Sequence, residues 1–326
     1  MLLTGVHVIE TGVVNRGDNI GILATVKKVS SIDGLKVYFS TASYKRALWK
    51  TLQETAGWKT PMFSQKETGG VVQRSGTIID SEELDFGGTM VAKPITFNRT
   101  NTLAIDDGIS INNFKGNEDY GTNMALAQMS GESTNIKVKE NFFGVYLLPF
   151  ALEVNRTGVQ ELEIDTKINN EDDLETKVKK IYESIGKQDD LKKVIENDEE
   201  KQNFLKKIGS IDYDKKAKTT TIKLTAEERY KRINDVLLQM GDLSRKIEAG
   251  IKNLTPYFSV FSFDFASPSY MLKIKELLNS NKKLTRDSIK EYAENKGKRV
   301  YVAEIDNYNK CINDIMAEIQ KHLVKS

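Results

Sequence analysis

From Leu2 to Val14 apolar and β-branched side chains dominate without helical spacing, which predicts a buried strand. A polar, glycine-bearing stretch, Asn15-Arg16-Gly17-Asp18-Asn19, follows it directly. Lys36 to Phe39 reads as a short strand after an Asp33-Gly34 turn. Between Ser43 and Thr55, Tyr44, Ala47, Leu48 and Leu52 recur at helical steps, a phase that turns Lys45, Arg46 and Lys50 away from the core.

Periodicity then weakens. From Gly57 to Asn135 short extended pieces (Val71-Val72, Ile78-Ile79, Thr89 to Ala92) alternate with turn residues, and a long aperiodic region of this kind is either functional or disordered. Phe142 to Val154 is a strongly apolar strand. Residues 160–218 read as an inserted helical module, with Leu174, Val178, Ile181 and Ile185 on one face and Phe204, Leu205 and Ile208 on another. Thr225-Ala226-Glu227-Glu228 spells a capping box before an amphipathic helix whose inward side runs Ile233, Val236, Leu237, Met240, Leu243, Ile247, Ile251. Phe261, Phe263 and Phe265 alternate on a following strand. A helix over Ser269–Leu278, a strand over Val300–Ile305 and a final helix with Cys311, Ile312, Ile315, Met316, Ile319 and Leu323 inward complete the chain.

The order strand, helix, strands, helix, strand predicts an α+β fold. It is compatible with a ferredoxin-like βαββαβ core of the kind used by RNA-recognition modules. That core would comprise residues 1–159 and 219–326, with large insertions at about 57–140 and the charged helical insertion at 160–218.

Composition narrows the function. The 326 residues carry 48 basic and 46 acidic side chains, a net charge of +2, so any polyanion site is a local patch. Charge is segregated accordingly. Residues 1–60 hold eight cations against four acids, whereas residues 160–201 hold eight lysines against fourteen acids. One cysteine, Cys311, excludes a disulfide framework and points to a reducing, cytoplasmic setting. No apolar run reaches the length of a membrane span, and no charged signal-peptide start is present. His7 and His322 leave little for histidine chemistry. No Gly-x-Ser-x-Gly, Cys-x-x-Cys, His-Glu-x-x-His or Walker spelling occurs, and the acid pairs Asp106-Asp107, Asp172-Asp173 and Asp189-Asp190 read as solvated charge. Catalytic residues, metal and cofactor are all expected to be absent.

The candidate chemistry lies between Thr11 and Lys50. Free amides at a helix start, the hydroxyls of Ser40 and Ser43, and the cations Lys45 and Arg46 suit successive phosphates. The alternative is an ordinary capped, soluble helix. Asn15 and Arg16 sit at a strand end, where ligands tend to be presented; the alternative is a turn with a surface Arg–Asp pair. Lys27 and Lys28 add a basic stretch. Phe114 and Tyr120 lie in a segment with little local apolar company, suited to stacking on a base or to tucking onto the domain. The alternating phenylalanines at 261–265 read as core.

Val13-Val14-Asn15-Arg16-Gly17 and Ser40-Thr41-Ala42-Ser43-Tyr44-Lys45-Arg46-Ala47-Leu48 together resemble the backbone subunits of type I CRISPR surveillance complexes (Cascade), nearest the DevR-like branch of type I-B systems. Leu84-Asp85-Phe86-Gly87-Gly88, the run from Lys93-Pro94 to Ser110, Phe142–Val154, the Arg232-to-Gly250 helix and Pro256 to Ser262 extend the likeness in order, leaving out about residues 160–220. The resemblance implies an RNA-recognition-like palm with fingers and a thumb, polymerising along CRISPR guide RNA. By that resemblance Asn15, Arg16, Ser40, Ser43, Lys45 and Arg46 hold guide phosphates and sugars. Lys27 and Lys28 fall beside them, Arg99 is a finger contact, and Tyr120 in the thumb is the aromatic wedge. Thr41-Ala42 departs from the Ser-Gln pair of several relatives. Type III relatives carry a cleaving aspartate near the position of Asp33, here followed by Gly34 in a hairpin turn.

The expected function is therefore non-catalytic binding of guide RNA, presented to a target DNA strand, with further copies of the chain and other Cascade subunits as partners and no membrane. The rival is a CRISPR RNA-processing endoribonuclease of the same superfamily. A monomeric RNA chaperone is the weaker third.

Overall fold

The first apolar run is the middle of the main sheet. In a computed structural model that describes residues 1–64, 73–91, 96–195, 197–247, 250–280 and 282–325, β1 (Leu2–Thr11) lies between two partners. Along its whole length it pairs antiparallel with Gly144–Glu153, from Leu2 opposite Glu153 to Thr11 opposite Gly144. On its other side Thr4 to Val8 pair with Ser262 to Phe258. Gly108–Asn113 (β2) joins the far side of Gly144–Glu153 (β3), and Phe258–Ser262 is β4. Helices Thr41–Thr55 (α1) and Ala226–Gly241 (α2) connect them, so the chain runs β1-α1-β2-β3-α2-β4 with spatial order β4-β1-β3-β2. Tyr301–Glu304 (β5) extends the sheet beyond β4. The hairpin of Gly34–Phe39 and Lys28–Ser31 extends it beyond β2, and Leu103–Ile105 adds to β3.

Both faces of this sheet are buried. On one, Leu3 and Ile9 of β1 and Leu148, Phe150 and Leu152 of β3 meet Tyr44, Leu48 and Trp49 of α1, Ile233, Val236 and Leu237 of α2, and Ile312, Ile315 and Ile319 of the last helix. On the other, Val6, Val8, Leu147, Phe258 and Val260 meet Ile274 of Met271–Asn279 (α3) and Ile289 and Ala293 of Arg286–Glu294 (α4). The last helix, Tyr308–Leu323, is α5. Period-two alternation across two covers explains why β1 reads as uninterrupted apolar sequence. A one-residue register slip would exchange the two faces, and each large side chain so buried contributes about 1.5–3 kcal/mol. Gly5 and Gly108 leave space that rings fill: Phe150, opposite Gly5, and Phe39, opposite Gly108, occupy the positions a Cβ would take.

Two expectations are corrected. The helix read through Ile251 stops at Gly241, and Ser244–Ile247 pairs with Gly250–Asn253 in a hairpin that leaves Ile251 exposed. Residues 243, 247 and 251 are four apart, a spacing that satisfies a strand's period of two as well as a helix's. Residues 160–218 are not helical throughout. Helices Leu174–Ser184, Gln188–Ile195 and Asp198–Lys206 pack with an antiparallel sheet of Val159–Leu162, Thr219–Leu224 and Ile208–Asp214. Their core also takes in Ile78, Ile79, Val91 and Phe97 from the weakly periodic region. Phe114 packs at the margin of the main core, with the Lys28 ammonium 4.6 Å from its ring centre. The pieces read at Val71-Val72, Ala92 and Lys93-Pro94 lie outside the described residues. Among those described, no helix is long and apolar enough to cross a membrane.

Candidate nucleic-acid interface

The start of α1 is built by three segments. Ser40 is its N-cap, and the hydroxyl accepts from the Ser43 amide at 3.4 Å. Asn15, from the loop after β1, bridges the cap: its carbonyl oxygen accepts from the Ser40 amide at 3.2 Å, and its amide donates to the Ser40 hydroxyl at 3.4 Å. Asp107, just before β2, accepts from the Thr41 amide at 2.7 Å and the Thr41 hydroxyl at 2.9 Å. The Thr41 and Ser43 amides are thus satisfied from within, which corrects the expectation that they are free. A carboxylate already holds the position an incoming anion would seek. Nothing near Thr41 in the sequence betrays Asp107, 66 residues away.

Ser43 is buried, and its hydroxyl has no partner among the described residues. Lys45 donates to the Leu103 carbonyl at 3.0 Å. Burial, reinforced by nearby Arg74, lowers its affinity for a proton. Arg46 is exposed one position on. Lys27 lies 5.9 Å from the ring centre of Tyr38. Neither Arg46 nor Lys27 makes an ion pair among the described residues.

A second knot forms around Glu140. Its carboxylate accepts from the Val26 amide at 2.7 Å and pairs with Lys28 at 2.6 Å, and its carbonyl accepts from Arg16 at 2.7 Å. Glu140 belongs to Ile136–Asn141, which pairs parallel with Leu23–Val26 and antiparallel with Asn117–Thr122. With Arg16–Ile20 these make a four-stranded sheet in which the Arg16 strand and the Tyr120 strand are the two edges. Three strand spacings, roughly 14 Å, separate those edges. Two candidates more than a hundred residues apart thereby share one small sheet. Tyr120 is 68% exposed, its hydroxyl 2.8 Å from the Glu118 carboxylate, and that hydrogen bond makes the phenol harder to ionise.

Arg99 stands apart from this group. It is buried, pairs with Asp85 at 2.6 Å and donates to the carbonyls of Val159 and Arg156. Asp85, fully buried, also accepts from the Gly158 amide at 2.9 Å and from Arg232 at 3.3 Å. Arg232 reaches on to Glu228 at 2.7 Å. The network ties the 77–88 segment to α2 and to the 159–224 module, so the Arg99 guanidinium is committed to an internal strut.

The remaining chemistry is equally engaged. Asp33 hydrogen-bonds Ser31 at 2.6 Å and pairs with Lys36 at 3.2 Å, and these bonds pull its carboxyl down to about 2. His7 is buried against Phe150, Phe261 and Tyr308, bonded to the Ser259 hydroxyl at 2.8 Å, and burial drops its pKa to about 3. His322 lies 2.5 Å from the Asn155 side-chain oxygen. Among the described residues no three His, Cys, Asp or Glu side chains cluster as a metal site.

No family model and no curated protein matches the chain. Among solved structures it is similar to a chain titled "CRISPR RNA-guided surveillance complex, pre-nicking", at a TM-score of 0.54 and 10% identity, over 98% of this chain and 100% of that one. The two share a fold. A chain titled "CRISPR RNA-guided surveillance complex" superposes with a TM-score of 0.47 at 11% identity, over 97% of this chain and 99% of that one.

Proposed function

We propose that this chain is a non-catalytic subunit of an RNA-guided CRISPR surveillance complex, of the DevR-like type I-B kind. It binds the phosphate backbone of the guide, and repeated copies line that guide and present it to target DNA beside other subunits. The observation that carries this reading is the end-to-end shared fold: a match of 98% of this chain to 100% of the other is a correspondence of whole subunits. The β4-β1-β3-β2 order supports an RNA-recognition-like palm. The Asn15–Ser40 bridge and the exposed Arg46 give it a polar, cationic rim, and the small sheet carrying Tyr120 is its thumb. Both broad faces of the main sheet are covered, which favours contact through phosphates over base stacking on the sheet.

Backbone binding leaves the guide bases free to pair. Co-expression with a CRISPR array tests the site. Lys27→Glu with Arg46→Glu is expected to lose most co-purifying guide RNA while thermal unfolding is unchanged; undiminished RNA would refute the assignment. Incubation with repeat RNA addresses the rival reading. Cleavage abolished by Asp33→Ala would make the chain a nuclease.

A further inference from the structure

On the opposite edge of the main sheet, three cations converge on one cavity. Arg286 and Lys290 of α4, and Lys310 of α5, line a depression of about 230 Å³ whose wall also includes Val300 and the β5 residues Tyr301 and Val302. None of the three makes an ion pair or a side-chain hydrogen bond among the described residues. By contrast, the arginines at 74, 99, 156, 232 and 299 all meet carboxylates, and Lys179, Lys187 and Lys192 each pair within a helical turn. Asp314, the one acid on the rim, stands four residues after Lys310 on the same helix and still does not pair with it. Cys311, on the wall, does not supply a counter-charge either. Burial pushes its thiol up to about 12, so it stays neutral. Three positive charges against one carboxylate, held in a concave polar site, are matched by a tetrahedral oxyanion that a guanidinium grips with two donors and two ammonium groups neutralise.

We propose that this cavity is a second nucleic-acid contact, taking a backbone phosphate of a strand. It rests on the RNA-binding reading above but uses none of the residues that carry it. β5 and the Gly34–Phe39 strand are five sheet positions apart. At about 4.8 Å per strand the two sites are separated by roughly 24 Å, so no single phosphate serves both. A strand that touches both must cross the molecule, or two strands are held at once.

The test is anisotropy of a fluorescein-labelled polyuridine oligonucleotide, long enough to span both sites, titrated at several salt concentrations. Arg286→Gln with Lys290→Gln and Lys310→Gln is expected to weaken binding about tenfold and to reduce the log K versus log salt slope by about two. Lys206→Gln with Lys215→Gln and Lys216→Gln removes the same net charge elsewhere and is expected to leave the slope alone. Equal effects of the two triples, or no effect of the first with its melting temperature preserved, would overturn the inference. So would millimolar inorganic phosphate binding that depends on the three cations while oligonucleotide binding does not, since that marks a free-anion site. Lys27→Glu with Arg46→Glu, measured alongside, separates the outcomes. Loss there with an unchanged cavity triple sinks this site and spares the function, and the converse sinks the first site alone.

Discussion

At the scale of single residues, the side chains with most influence are ones whose partners lie far along the chain. Asp107 caps a helix that begins 66 residues earlier. Asp107→Ala is expected to cost about 1–2 kcal/mol in a urea titration, the usual worth of a lost N-cap, and to loosen Asn15 and Ser40 with it. His7 gives a pH dependence with a definite sign. Its folded pKa, about 3, lies below the unfolded value of 6.5, so the unfolded chain takes up the proton first. The contribution is complete above pH 6.5 and is lost as pH falls toward 3, by about 2 kcal/mol at pH 5. His7→Gln, compared with the parent at both pH values, is expected to remove that difference; an identical acid slope in the two proteins would show that His7 is not its source.

At the scale of elements, what was legible followed from local periodicity. Helices α1 and α5 and strands β1 and β3 could be read because one periodic apolar set meets one cover, or an unbroken apolar run meets two, whereas the alternating Phe261, Phe263 and Phe265 misplaced β4, which ends at Ser262 and leaves Phe261 and Phe265 in different cores. α4 fully buries just Ile289 and Ala293 and so gave no signal. The strands of the 159–224 module were masked by the Glu- and Lys-rich helices around them. The candidate site was half legible. Its residue types could be anticipated, but the Asn15–Ser40 bridge and the residues that organise it, Glu140 and Asp107, could not, because sequence order carries no trace of a parallel pairing or of a cap delivered from another loop. Arg99 shows the reverse error, a cation read as available that an invisible partner, Asp85, had claimed. Asp85→Ala strands two buried guanidinium groups and is expected to cost about 3–5 kcal/mol, a large share of a domain's typical stability, visible as a fall in urea midpoint.

At the scale of the molecule, the central position of β1 has a consequence for how the protein is made. β1 leaves the ribosome long before the neighbour it needs, since Thr4 to Val8 wait for Phe258 to Ser262. Until then a nascent chain can pair β1 with β3 yet keeps an open, apolar edge on its other side, the kind of edge that recruits other strands. A chain stopped before Phe258 is therefore expected to sediment with aggregates on cell fractionation, and separately supplied residues 254–326 to return part of it to the supernatant. Synthesis of this protein has, in effect, a late closing step, and how quickly ribosomes travel from β3 to β4 sets how long that edge stays open.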